Sequence, residues 1–305
     1  MSNEKHLESI DHRSTSGVSN GATASSLRDA DEALAFLQNH PQATAITEAG
    51  NAILEDPVQL KKLQQKIDRT IVPLLAAIYF LQFLDKTTLA YTAVMGIRKD
   101  ANLKGQDYSN LSMLFYIGAR PATQPLSTIN LGNSAADHPL GFLAAEFPTQ
   151  FLAQHISRLG LYLGVNIMIW GVVLGCHAAC TSFATLAICR TLLGIFESCV
   201  APILVLIIAM WYKKEEQGRR VSWFYVCNSL TVIFGGFLAY GVSFTKSRIA
   251  SWRIFFLAIG ALTIIVGALI CIFLPDSPVK AKRFTDTEKA AALIRVKGNQ
   301  RYVTG

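Results

Sequence analysis

The stretch FATLAICRTLLGIFESCVAPILVLIIAM, residues 183–210, is apolar almost throughout, yet it carries Arg190 and Glu197. At about 1.5 Å of rise per residue, such a helix exceeds the roughly 30 Å hydrocarbon thickness of a bilayer. A soluble core of this size would divide its apolar residues into shorter, periodic segments. Four more runs of the same kind occur at Ile71–Gly96, Leu161–Ala179, Val221–Phe244 and Ile254–Leu274. A sixth is split into Leu111–Gly118 and Phe142–Ile156 by the polar stretch Ala119–Gly141, which contains Pro121, Pro125, Asp137, His138 and Pro139. Excising that stretch joins the halves into one run of about 34 Å. The pattern predicts an all-α membrane protein with six transmembrane helices.

Composition agrees. Hydrophobic residues make up 51% of the 305 and charged residues 16%, against about 25% charged in soluble domains. The net charge of +7 raises the question of nucleic acid, but the basic residues flank the apolar runs and form no stripe. They suit an anionic membrane face, so the expected surroundings are a lipid bilayer and no nucleic acid. The six cysteines lie in or at the ends of apolar runs without metal-site spacing, and read as buried small hydrophobes with no disulfide framework. No cofactor or metal is expected, and no enzyme: Gly17-Val18-Ser19-Asn20-Gly21 has a nucleophile-elbow spacing but lacks the flanking strand and apolar helix.

Residues 1–68 are polar and read as a disordered cytoplasmic tail with some transient helix. Orientation follows from the basic residues beside each span. Lys61, Lys62, Lys66, Arg69, Arg158, Lys213, Lys214, Arg219, Arg220, Lys280, Lys282 and Arg283 fall on the side of the N-terminus. Only Arg98, Lys99, Lys104, Lys246, Arg248 and Arg253 fall on the other. This asymmetry predicts a multi-pass protein with both termini cytoplasmic. Pro275-Asp276-Ser277-Pro278 ends the last span, and Thr285-Asp286-Thr287-Glu288 fits a capping box opening a short helix.

Several polar residues sit where hydrocarbon is expected. Asp85 and Lys86 lie mid-span, each costing about 2.5–3.5 kcal/mol unless partnered or hydrated. They read either as structural glue or as the lining of a substrate or proton path. Arg190 and Glu197 share a helix face about two turns apart, and a face bearing both signs must point into the bundle. Arg190 could receive an anion and Glu197 a proton; a charge network locking neighbouring helices is the alternative. Glu146, near Pro148 in the second span, is either titrating or a hydrogen-bonded structural acid. Asn228 lies beside Gly235, Gly236 and Gly241, glycines suited to close helix packing. Asn166 and His177 are weaker candidates, with His177 near the outer end expected in solvent.

These strings carry a resemblance. Phe83-Leu84-Asp85-Lys86-Thr87-Thr88-Leu89, Gly105-Gln106-Asp107-Tyr108-Ser109, Phe142-Leu143-Ala144-Ala145-Glu146-Phe147-Pro148-Thr149, Arg190–Glu197, Met210-Trp211-Tyr212 and Leu274-Pro275-Asp276-Ser277-Pro278 occur in order between Leu60 and Gln300. With them the chain resembles the major facilitator superfamily, in particular its fungal anion:cation symporter group of allantoate permease-like and vitamin-acid transporters. The resemblance implies one six-helix half of a two-half bundle: a tail at 1–68, a transmembrane half at 69–279 with an insertion at 119–141, and part of the central cytoplasmic loop at 280–305. It implies proton-coupled transport of a small organic anion, located in the plasma membrane. Lys86, Arg190 and Asn228 would bind substrate, and Asp85, Glu146 or Glu197 would carry the proton. Substrate sites in this architecture lie between halves, so a C-terminal six-helix half is the implied partner. The insertion and the single half together point to a truncated gene product, and the alternative function is a non-transporting or regulatory half-transporter.

Overall fold

A computed structural model describes residues 36–37, 41–119, 156, 158–245 and 248–301. Every element in them is helical: α1 Ala43–Glu55, α2 Pro57–Val94, α3 Ile97–Asp100, α4 Asp107–Ala119, α5 Leu159–Cys176, α6 Phe183–Ser198, α7 Val200–Trp211, α8 Lys214–Ser243, α9 Ser251–Phe273 and α10 Asp286–Arg301. A short 3₁₀ turn, His177–Ala179, extends α5. Among the described residues, five helical stretches are long and apolar enough to cross a membrane: α2, α5 with its turn, α6 with α7, α8, and α9. Helix α4 contains the first half of the split second run. The second half through residue 155, most of the insertion, and Glu146 lie outside the described residues.

Local chemistry sets the ends. Asp56 caps α2 by accepting from the Val58 N–H at 2.8 Å, with Pro57 at the first helical position. Gly96, at φ 106°, turns the chain out of α2 in the left-handed region. Ser182 and Thr185 cap α6 reciprocally. Helices α6 and α7 form one span with a break at Cys199; Pro202, having no N–H, leaves the Ser198 carbonyl without its helical partner. The expected capping box before α10 is present: Thr285 N–H donates to Glu288 at 2.9 Å, and the Glu288 N–H to Thr285 Oγ1 at 3.3 Å.

The spans pack chiefly in pairs, α5 with α9, α4 with α6 and α2 with α8. The α5–α9 seam is backbone against backbone. A Cβ on Gly171 would lie 2.9 Å from the Gly260 carbonyl oxygen, and one on Gly164 would lie 3.0 Å from that of Gly267. Small residues permit this approach, which supplies contact where no hydrophobic drive exists between helices. The glycines of α8 divide: Gly235 abuts Leu84 and Tyr91 of α2, whereas Gly236 and Gly241 face open space and pack nothing. Gly260→Leu should therefore lower the thermal unfolding midpoint of the detergent-solubilised chain, with overpacking costing about 1–3 kcal/mol. Gly236→Leu should leave it unchanged. Equal midpoints for the two variants would remove the seam from the account.

Helix α1 and the start of α2 fall within the stretch read as a tail. Helix α1 packs on α10, with Gly50 against the backbone of Ala291. Polar ties bind this layer to the bundle: Lys66 to Glu288 at 2.6 Å, and Asp68 to Arg220 through two bonds of 3.0 Å. Glu216 accepts from Gln64 at 3.1 Å and from Arg295. Partial burial opposes ionisation of Glu288, but Lys66 and the Thr285 N–H outweigh it and hold the carboxyl below its ordinary range.

Candidate functional site

Asp85 and Lys86 are consecutive on α2, so their side chains diverge by about 100° around the helix and cannot simply neutralise each other. Each finds its partner on α6 instead. Arg190 Nη1 lies 3.8 Å from Asp85 Oδ1, within ion-pair reach though longer than a hydrogen bond. Lys86 Nζ lies 3.7 Å from Glu197 Oε1. The two-turn spacing of Arg190 and Glu197 thus serves two rungs, with signs reversed between the helices.

Asp85, Arg190 and Glu197 are buried, whereas the Lys86 side chain retains 35% of its exposure. Lys86 is therefore the member of the quartet most open to an arriving ligand. Asp85 Oδ2 also accepts from Trp170 Nε1 of α5 at 2.8 Å. The Arg190 guanidinium sits 5.7 Å from the Phe256 ring of α9, and His177 stacks on the same ring at 5.0 Å and 18°. Four spans thus meet at this cluster.

The sequence reading placed His177 in solvent, and the structure corrects it. His177 is fully buried, with Nδ1 2.9 Å from the Val173 carbonyl and its ring on Phe256. Trp170 was not singled out at all. It precedes His177 by seven residues, so the two share a face of α5, and that periodicity was the available signal. Asn166 is buried and donates to the Tyr162 carbonyl of its own helix at 2.9 Å, a local structural bond. Asn228 is half-buried on α8, and among the described residues no hydrogen bond or ion pair joins it to the quartet. Cys176 is exposed, contrary to the expectation that all six cysteines are buried; Cys180 and Cys199 are buried and the other three intermediate. No group of three metal-ligating side chains occurs among the described residues.

The family model of the Major Facilitator Superfamily matches residues 75–301, which include the whole quartet. The chain belongs to the major facilitator superfamily. The allantoate permease of Saccharomyces cerevisiae is 35% identical over 262 residues, covering 85% of this chain and 44% of the permease. The thiamine pathway transporter of the same yeast is 33% identical over 285 residues, covering 89% of this chain and 49% of its own length. The high affinity cysteine transporter, also from that yeast, is 29% identical over 279 residues, covering 90% and 48%. This facilitator chain thus spans less than half the length of these curated relatives. All three are named as transporters or permeases, which sets the enzyme reading aside. Major facilitator membership and the apolar helices together make it a multi-pass membrane protein, with an all-α bundle corresponding to half of the family architecture.

Proposed function

We propose that the chain forms the first half of a proton-coupled transporter of small organic anions, with both termini on the cytoplasmic side of the plasma membrane. Residues 69–279 are its transmembrane half, 119–141 an insertion in the second span, and 280–305 part of the central loop. The observation that carries this reading is the unequal exposure of the Lys86–Glu197 rung. Lys86 is reachable and cationic, while its carboxylate partner is buried 3.7 Å away. An anion arriving at Lys86 competes with Glu197 for the ammonium. A carboxylate deprived of its counter-ion in this setting is costly as an anion. Uptake of a proton by Glu197 keeps the site's net charge unchanged as substrate binds. Coupling then follows from charge balance. Trp170 fixes Asp85, which pairs with Arg190 in the neighbouring rung, where the guanidinium adds to the attraction for an anion. The allantoate permease likeness supports a carboxylate-bearing substrate.

The test uses the full-length form in proteoliposomes with a panel of labelled carboxylates. An inward proton gradient should drive accumulation, and Glu197→Gln should abolish the dependence on that gradient. Arg190→Lys should retain membrane abundance but reduce uptake, because a point charge does not reproduce the planar guanidinium fork. Gradient-driven accumulation undiminished in Glu197→Gln would refute the coupling role.

A further inference from the structure

The thiols of Cys180 and Cys189 take no part in the quartet. Cys180 ends the 3₁₀ turn after α5, in an extended conformation with φ −70° and ψ 138°. Its N–H donates to the His177 carbonyl at 3.1 Å. Cys189 lies nine residues later, inside α6 and immediately before Arg190. Their Sγ atoms are 3.7 Å apart. Cys180 is buried at 5% exposure, and Cys189 is the more accessible of the two. A disulfide needs about 2.05 Å between sulfurs, so the pair must close by less than 2 Å.

We propose that Cys180 and Cys189 are a reversible redox pair, closing to a disulfide that staples the α5–α6 turn onto α6 beside Arg190. A low-molecular-weight disulfide such as oxidised glutathione is the oxidant. The Cys189 thiolate attacks one of its sulfurs, releasing one glutathione thiolate and leaving a mixed disulfide. The Cys180 thiolate then attacks the Cys189 sulfur of that bond, releasing the second glutathione. The protein loses two protons and two electrons, and the oxidant becomes two thiols. The turn lies at the end of the bundle opposite α1 and α10. With the proposed orientation it faces the extracytoplasmic, oxidising side. That choice of side rests on the proposed function, whereas the pairing rests on the geometry alone.

Closure has a consequence for the site. His177, three residues before Cys180, is stacked on Phe256, and Arg190 follows Cys189. The oxidised form therefore fixes the turn to the helix end from which Arg190 reaches Asp85. Transport by the full-length form should slow on oxidation and recover with reductant.

One tryptic peptide, Leu159–Arg190, contains Cys176, Cys180 and Cys189 and no internal Lys or Arg. In sealed cells expressing the unmutated chain, treatment with membrane-impermeant oxidised glutathione, alkylation and mass spectrometry should show this peptide with one alkyl group, on Cys176. Prior reduction should give three. Linkage by the permeant oxidant diamide but not by glutathione disulfide would uphold the pair and overturn the assigned side. Three alkyl groups under both oxidants, separate glutathione adducts on Cys180 and Cys189, or a Cys176–Cys180 linkage would each overturn the pairing. Cys189→Ser removes the more accessible thiol and should make transport insensitive to oxidant; sensitivity retained in that variant would remove the pair as its cause.

Discussion

Asp85→Ala should destabilise the bundle by about 3–5 kcal/mol, the usual result of removing one partner from a buried ion pair. Arg190 loses its Asp85 partner, and the Trp170 indole N–H loses its acceptor. The buried guanidinium, not the missing carboxylate, dominates the cost. A double variant, Asp85→Asn with Arg190→Met, removes both charges and leaves Trp170 an amide oxygen. It should recover most of the lost stability while remaining inactive. Denaturant unfolding in detergent micelles measures both effects. A single variant as stable as the parent, or a double variant worse than the single, would show that the two residues do not act as a pair.

The second large effect is expected at the layer formed by α1 and α10. Glu216 is the shared acceptor for Gln64 of α2 and Arg295 of α10, and the Arg295 side chain is 1% exposed. Glu216→Ala should cost about 3–5 kcal/mol locally, by leaving Arg295 buried without that partner. Helix α10 should then detach. Trypsin acting on permeabilised membranes should release the segment after Arg283 much faster than in the parent. Glu288→Ala should accelerate release far less, because its pair with Lys66 is partly exposed and such pairs contribute about 0–1 kcal/mol. Identical digestion of all three chains would show that Glu216 does not anchor the helix.

The spans were legible because hydrocarbon imposes length and apolarity on each one independently, so no knowledge of the neighbours is needed. Arg190 and Glu197 were legible for the same reason: charges inside an apolar run are conspicuous. Their partners were not. Whether Asp85 would meet Lys86, Arg190 or Glu197 depends on helix rotation and on which spans adjoin, neither of which a single run encodes. Trp170 was missed because an aromatic inside an apolar run is not conspicuous, and His177 was misplaced because polar side chains near a span end are ordinarily solvated, whereas here its ring stacks on Phe256 of α9. The α1–α10 contact was hidden by weak signals at both ends. Gly50 and the Ala290–Ala292 run offer little side-chain bulk, so their association is backbone proximity that hydropathy does not register.

The two-rung arrangement also sets a schedule. Asp85 and Lys86 leave the ribosome well before their partners: Trp170 follows Asp85 by 85 residues and Arg190 by 105. At roughly 5–20 residues per second, Arg190 is made about 5–20 s after Asp85. During that interval the first span carries two charges whose eventual counter-ions do not yet exist, at about 2.5–3.5 kcal/mol each in hydrocarbon. Helix α2 is therefore at its least stable in lipid when first made, and it gains its two ion pairs only when α6 arrives.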